Sequence, residues 1–157
     1  STSIEVLISD LKGSPDDLEK VFASNPDVLN HNVETVPSLQ RTVRPSASYA
    51  RSLAVLCHAK QHGLMTKTSI MLGLGEIEEE VHILLKDLSR IGVDIVTLGQ
   101  YLSPTSQHLP VERWWTPEEF QEFKIYGESL GIAHVETSPL TRSSYHAKQS
   151  QISVRQS

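Results

Sequence analysis

A single cysteine, Cys57, in 157 residues excludes an intrachain disulfide framework. No apolar run approaches the ~20 residues needed to cross a bilayer as a helix. No run of lysines or arginines stands out as a patch for nucleic acid or a membrane surface, and the formal net charge of −5 comes from scattered acids. The amino terminus, Ser1-Thr2-Ser3 followed at once by Ile4-Glu5-Val6-Leu7-Ile8, lacks the basic flank and cleavage pattern of a signal peptide. It reads as a cut into the middle of a fold. With 38% hydrophobic and 21% charged residues the chain is long enough for one core. The expectation is one soluble domain, or a piece of one, in a cytoplasmic or organelle-matrix setting, with no nucleic-acid partner and no membrane span.

Four short runs rich in branched aliphatics have the length of buried strands: residues 4–9, 27–33, 66–72 and 94–99. Between the last two, Ile77, Val81, Leu84, Leu85, Leu88 and Ile91 recur near the 3.6-residue period, with Glu78, Glu79, Glu80, Lys86 and Arg90 opposite. Gly92 ends that helix, as Gly63 ends one beginning near Ser46. Ser14-Pro15-Asp16-Asp17 and Thr116-Pro117-Glu118-Glu119 each join a hydroxyl cap, a proline at the first helical position and acids in the first turn. Strand and helix therefore alternate, which predicts an α/β chain of about four βα units with a parallel sheet. Such a sheet must be covered on both faces or curl toward a barrel. The polar tail, residues 148–157, is expected to be flexible.

In parallel α/β folds functional groups gather where strands end, since the loops there converge on one rim. Asn30-His31-Asn32-Val33-Glu34-Thr35 puts amide, imidazole and carboxylate groups at the second strand end, either as helix-capping chemistry or as contacts for ligand hydroxyls. The third run closes with Ser69-Ile70-Met71-Leu72-Gly73-Leu74-Gly75-Glu76, where the glycines permit either a tight turn or close approach of backbone to a ligand. The fourth closes with Gly99-Gln100-Tyr101. Ser143 and Ser144 near His146 lack a Gly-x-Ser-x-Gly elbow, so a serine nucleophile is disfavoured. His58 and His62 share a helix face but have no carboxylate close in sequence, which favours solvation over metal binding. Cys57 is expected to be a small core residue.

The ordered set Asn30-His31-Asn32-Val33-Glu34-Thr35-Val36-Pro37, Val43-Arg44-Pro45, Tyr49, Gly73-Leu74-Gly75-Glu76, Thr97-Leu98-Gly99-Gln100-Tyr101-Leu102 and Arg142-Ser143-Ser144-Tyr145 resembles the lipoyl synthases over residues 4–147. The resemblance implies the carboxy-terminal half of a radical S-adenosylmethionine (SAM) partial barrel, with these strands as its third through sixth. It also implies two 4Fe-4S clusters and S-adenosylmethionine as cofactors. All six cluster cysteines of the family would lie upstream of this region, and Cys57 matches none of them. The implied reaction is sulfur insertion at C6 and C8 of an octanoyl group. The implied partners are an octanoylated lipoyl domain or glycine-cleavage H protein and an electron donor such as ferredoxin or flavodoxin.

By the same resemblance Asn32 and Glu34 are the methionine-side and ribose contacts, and the segment from Ser69 to Glu76 is similar to a Gly-x-Ile-x-Gly-x-x-Glu motif, with Gly73 and Glu76 in register and Gly75 between them as a further cofactor-binding residue. Ser69 stands there in place of glycine, and Met71 in place of isoleucine. Gln100 and Tyr101 are expected beside the adenine, and Arg44 and Tyr49 in the substrate wall. Ser143 is implied as an oxygen ligand to the auxiliary cluster, with Arg142 stabilising its anionic form. Two alternatives remain: a non-catalytic half-barrel that binds S-adenosylmethionine or a lipoyl domain, and a barrel aldolase using Lys67 as Schiff base.

Overall fold

The computed structural model of the chain describes residues 2–139. Arg142 and Ser143, and the tail expected over 148–157, lie outside the described residues.

Five strands form one parallel sheet in sequential order: β1 Glu5–Leu7, β2 Val28–Asn30, β3 Met65–Leu72, β4 Ile95–Gln100 and β5 His134–Ser138. Four were expected from the sequence, and the fifth is a correction. In β5 only Val135 is apolar and buried, while His134, Glu136 and Ser138 are exposed, so no aliphatic run marks it. Pairing with β4, from Ile95 opposite His134 to Gly99 opposite Ser138, makes it a strand. The sheet is open and matches the expected (β/α) partial barrel.

The helices form for the reasons visible in their sequences. Ser14 Oγ accepts from Asp17 N–H at the start of α1 Pro15–Ala23, and Thr116 makes a capping box with Glu119 at the start of α5 Pro117–Ser129. A four-residue helix, α2 Gln40–Val43, stops ahead of Pro45, because a residue before proline is pushed out of the helical region. Ser48 caps α3 Tyr49–Gln61, and α4 Glu78–Ile91 ends on Gly92 at φ +82°.

One face of the sheet carries the core. Ile70, Leu72, Val96, Leu98 and Val135 alternate along β3, β4 and β5 and pack against Val81, Leu84, Leu85 and Leu88 of α4 and Phe120 and Phe123 of α5. Each of these aliphatic side chains contributes about 2 kcal/mol by leaving water. A smaller cluster of Leu18, Phe22, Leu29, Val55, Ala59 and Leu64 fixes α1 and α3 behind β2. The register brings the alternate residues together on the opposite, open face: Leu7, Asn30, Lys67, Ile95 and His134 in one row, and Ser69, Thr97 and Glu136 in the next. That face is where a ligand would meet the sheet.

Candidate functional site

The β2–β3 ladder breaks at the segment that carries the most polar chemistry. His31 N–H bonds Lys67 C=O and Glu34 N–H bonds Ser69 C=O, so three residue steps on one strand span two on the other. This is a β-bulge, a device that re-aims side chains beside functional sites. Glu34 then resumes pairing, its carbonyl accepting from Met71 N–H at 2.8 Å, but with φ at +72°. A left-handed conformation costs a residue with a Cβ on the order of 1 kcal/mol, so the surroundings must hold it there.

They hold it through Arg44 and Gln40. The bulge turns the Asn32 and Val33 carbonyls out of the ladder, and Arg44 Nη1 donates to both, at 2.5 and 2.7 Å. Gln40 Nε2 donates to Val33 and Thr35 carbonyls, while Val33 N–H donates to Thr68 Oγ1. Ahead of Pro45, Arg44 leaves the helical region at φ −138° and ψ 73°, and its side chain lies back over the bulge. Its Nη2 donates to Ser52 Oγ at 2.8 Å, and Ser52 Oγ lies 2.9 Å from His31 Nε2. Burial holds the His31 imidazole below the ordinary histidine range; the Arg44 charge adds to this, while the Ile8 carbonyl bond and Asp10 oppose it.

A cleft of about 910 Å³ opens at this rim, lined by Leu7 to Asp10 after β1, by His31, Asn32, Glu34 and Met71, and by the 43–47 segment. Asn32 Oδ1 is buried without a hydrogen-bond partner. A buried amide oxygen left unsatisfied costs roughly 1–3 kcal/mol, which a ligand donor would recover. Glu34 lines the same cleft and makes no side-chain ion pair or hydrogen bond among those of the described residues. Arg44 is also in the lining, and three of its N–H donors are engaged by the chain itself, at the Asn32 and Val33 carbonyls and Ser52 Oγ.

The glycine motif does something different from what its pattern suggests. Glu76 is 3% exposed, and its carboxylate accepts from Gly73 N–H, from Leu74 N–H at 3.0 Å and from Trp115 Nε1–H at 2.8 Å. A Cβ on Gly73, at φ +110°, would sit 2.3 Å from Gln100 Nε2 and 2.6 Å from Arg113 O. Gln100 donates to the Tyr101 and Arg113 carbonyls and accepts from Trp115 N–H. Glu112 N–H closes the set on Gly73 C=O at 2.8 Å. Gly73, Glu76 and Gln100 thus bind the long connection between β4 and α5, and Arg113 lies 3.6 Å over the Trp115 ring. Connections longer than about 12–15 residues without secondary structure are uncommon and are usually either functional or linker segments. Gly75, at φ +119°, is exposed beside Glu112, and Tyr101 donates its hydroxyl to Leu109 C=O in the same connection.

Tyr49 is not brought to the cleft. Its hydroxyl donates to Asp87 Oδ2 at 2.6 Å between α3 and α4, where burial and the Asp87 carboxylate push its pKa up. Ser69, the departure from glycine, hydrogen bonds Thr97 Oγ1 on the open face at 2.6 Å. Lys67 lies there too, with Nζ 3.5 Å from Glu5 Oε1, which also accepts from Asn30 Nδ2. Sequence reasoning missed Gln40, Ser52 and Trp115 altogether. Their single polar groups sit in ordinary helical or loop contexts, and only the indole placed ahead of the Thr116 cap offered a local signal.

Among the described residues no group of three or more His, Cys, Asp or Glu side chains could hold a metal ion. The described residues do not fit a 4Fe-4S cluster, because Cys57 is the single thiol and such a cluster is held by several thiolates. No helix among the described residues is long and apolar enough to cross a membrane.

No family model matches the chain. It is 51% identical over 149 residues to a lipoyl synthase from Rubrobacter xylanophilus, covering 94% of this chain and 46% of the relative. It is 52% identical over 147 residues to a lipoyl synthase from Pelodictyon phaeoclathratiforme, covering 93% and 50%. The chain thus spans about half the length of the curated relatives it matches. Among solved structures, a domain of pyruvate-formate lyase-activating enzyme from Bacteroides vulgatus superposes with a TM-score of 0.64 at 12% identity, over 84% of this chain and 80% of that one. Streptococcus suis SuiB bound to S-adenosylmethionine gives 0.60 at 9% identity, over 86% and 32%. The fold that the chain shares with them is an open parallel (β/α) partial barrel.

Proposed function

We propose that this chain supplies the carboxy-terminal half of the catalytic barrel of a lipoyl synthase, which inserts sulfur at C6 and C8 of a protein-bound octanoyl group. The observation that carries the reading is the orphaned Asn32 amide oxygen beside the Glu34 carboxylate in the cleft. It is supported by half-length identity of 51% and 52% to two lipoyl synthases. An ionised carboxylate only accepts hydrogen bonds and suits paired ribose hydroxyls, whereas an amide both donates and accepts and suits an amino-acid moiety. S-adenosylmethionine presents both groups. When bound beside a reduced cluster it supplies the means to take hydrogen from an unactivated aliphatic carbon.

The residues here bind and orient. Glu34 holds the ribose and Asn32 the amino-acid moiety, and Arg44 and Gln40 fix the bulge that aims them. Gly73, Gly75, Glu76, Gln100 and Tyr101 shape the adjoining rim by anchoring the β4–α5 connection. The cysteine ligands of both 4Fe-4S clusters come from a segment upstream of this region. The partners are an octanoylated lipoyl domain or glycine-cleavage H protein and a ferredoxin- or flavodoxin-type donor, in the cytoplasm or an organelle matrix.

Ser143 is proposed as the oxygen ligand of the auxiliary cluster, with Arg142 beside it. Equilibrium binding of S-adenosylhomocysteine to the chain tests the nucleoside site: Asn32→Ala and Glu34→Gln should each weaken it about tenfold, and unchanged affinity in both rejects the site. In a protein that also carries the upstream cysteines, Ser143→Ala should keep S-adenosylmethionine cleavage and lose sulfur insertion. Normal lipoyl product rejects that role.

A further inference from the structure

The bulge at 31–34 is held at two levels. Arg44 and Gln40 take its displaced carbonyls, and His31 stands beneath them, 3% exposed, bridging the end of β1 to α3. The proton at Nδ1 follows by elimination. Ile8 C=O, 3.0 Å from His31 Nδ1, can only accept, so Nδ1 carries the hydrogen. Ser52 Oγ already accepts from Arg44 Nη2, which frees its own hydrogen for His31 Nε2. With Nδ1 protonated, burial and the adjacent Arg44 charge favour the neutral Nδ1–H form, which donates to Ile8 C=O and accepts from the Ser52 hydroxyl. Were Nε2 to carry a proton, it would face the Ser52 hydroxyl already engaged by a guanidinium, with the Arg44 charge alongside.

We propose that His31, fixed as this neutral tautomer by Ser52 and Ile8, is the positioning residue that sets the Asn32 amide and Glu34 carboxylate for their ligand. The chain of contacts is continuous. Ile8 and His31 join the cleft wall after β1 to the bulge; Ser52 passes the constraint to Arg44; and Arg44 returns it to the Asn32 and Val33 carbonyls. His31 touches no ligand in this scheme and acts only through its neighbours. The charged groups facing the ring are Arg44, from the 43–47 segment, and Asp10, which follows β1. In its functional consequence the inference rests on the nucleoside reading above.

Two measurements on the 157-residue chain test it. With nitrogen-15 in the histidine rings, long-range proton–nitrogen correlation should show His31 protonated at Nδ1 and bare at Nε2 near pH 6.5, the ordinary histidine value. A proton on Nε2 at that pH overturns the assignment. Ser52→Ala removes one oxygen and leaves a better helix former. It should move the His31 Nε2 resonance and weaken S-adenosylhomocysteine binding about tenfold while circular dichroism stays unchanged. An unmoved Nε2 resonance, or undiminished binding with Nε2 moved, overturns the positioning role. If the unaltered chain binds no S-adenosylhomocysteine, the nucleoside reading fails by itself. The tautomer and the Nε2 shift then decide whether the His31–Ser52 contact exists.

Discussion

Trp115 donates its indole Nε1–H to Oε1 of Glu76 at 2.8 Å across 39 residues of sequence, and both side chains are buried. The bond joins the turn after β3 to the end of the β4–α5 connection. The glutamate of the glycine motif thereby serves as an internal brace.

Glu76→Gln should therefore destabilise the fold by about 3 kcal/mol. Three N–H groups converge on the carboxylate, and whichever way the new amide is turned its own N–H₂ meets a donor. Chemical denaturation followed by tryptophan fluorescence measures the loss, with faster amide exchange expected over residues 101–116. A variant as stable as the parent would show that the brace is dispensable.

Gly99 carries the opposite prediction. A Cβ built there meets nothing within 4 Å, and its pairing with Met71 and Ser138 places it on the open face. Neither conformation nor packing demands glycine, and glycine inside a strand often marks a place that a ligand or another backbone approaches closely. Gly99→Val should change stability by less than about 0.5 kcal/mol, since valine favours strands. Its S-adenosylhomocysteine affinity should fall at least about tenfold. Retained affinity would mean that the ligand lies elsewhere.

Tyr49→Phe separates a structural tyrosine from a substrate contact. Loss of the 2.6 Å bond to Asp87 should cost about 1 kcal/mol in a thermal or urea transition. Nucleoside binding should be unaltered, because the hydroxyl points between α3 and α4. A binding defect at normal stability would return Tyr49 to the cleft.

His31 gives the fold a pH dependence of known sign. Its pKa is lowered in the folded chain, so between the ordinary value near 6.5 and the folded value the unfolded chain binds more protons. Its contribution to stability is complete above pH 6.5, falls as the pH drops below that value and levels off once the folded group titrates too. His31→Asn keeps an N–H for the Ile8 carbonyl but cannot titrate. Urea midpoints at about pH 7.5 and about pH 5.5 should differ more in the parent chain than in this variant. Equal differences would show that His31 titrates alike in both states.

Four strands, the amphipathic helix of Val81 to Leu88 and both proline-led helix starts were legible because local periodicity and capping chemistry write them directly into the sequence. The polar cluster at 30–35 and the glycines after β3 were also legible as unusual strand ends. Strand β5 was not: with one buried apolar residue, Val135, its conformation comes from the edge of β4 and the cover of α5. Which motif residues line the cleft was decided by tertiary structure alone. Sequence order makes Glu34 and Glu76 look equivalent, two carboxylates at successive strand ends. A bulge held by Arg44 from twelve and eleven residues away leaves the Glu34 carboxylate in the cleft, whereas Trp115 and two backbone amides enclose Glu76 in the wall. Hydrogen-bond partners distant in sequence settle that difference, and no local pattern can encode them.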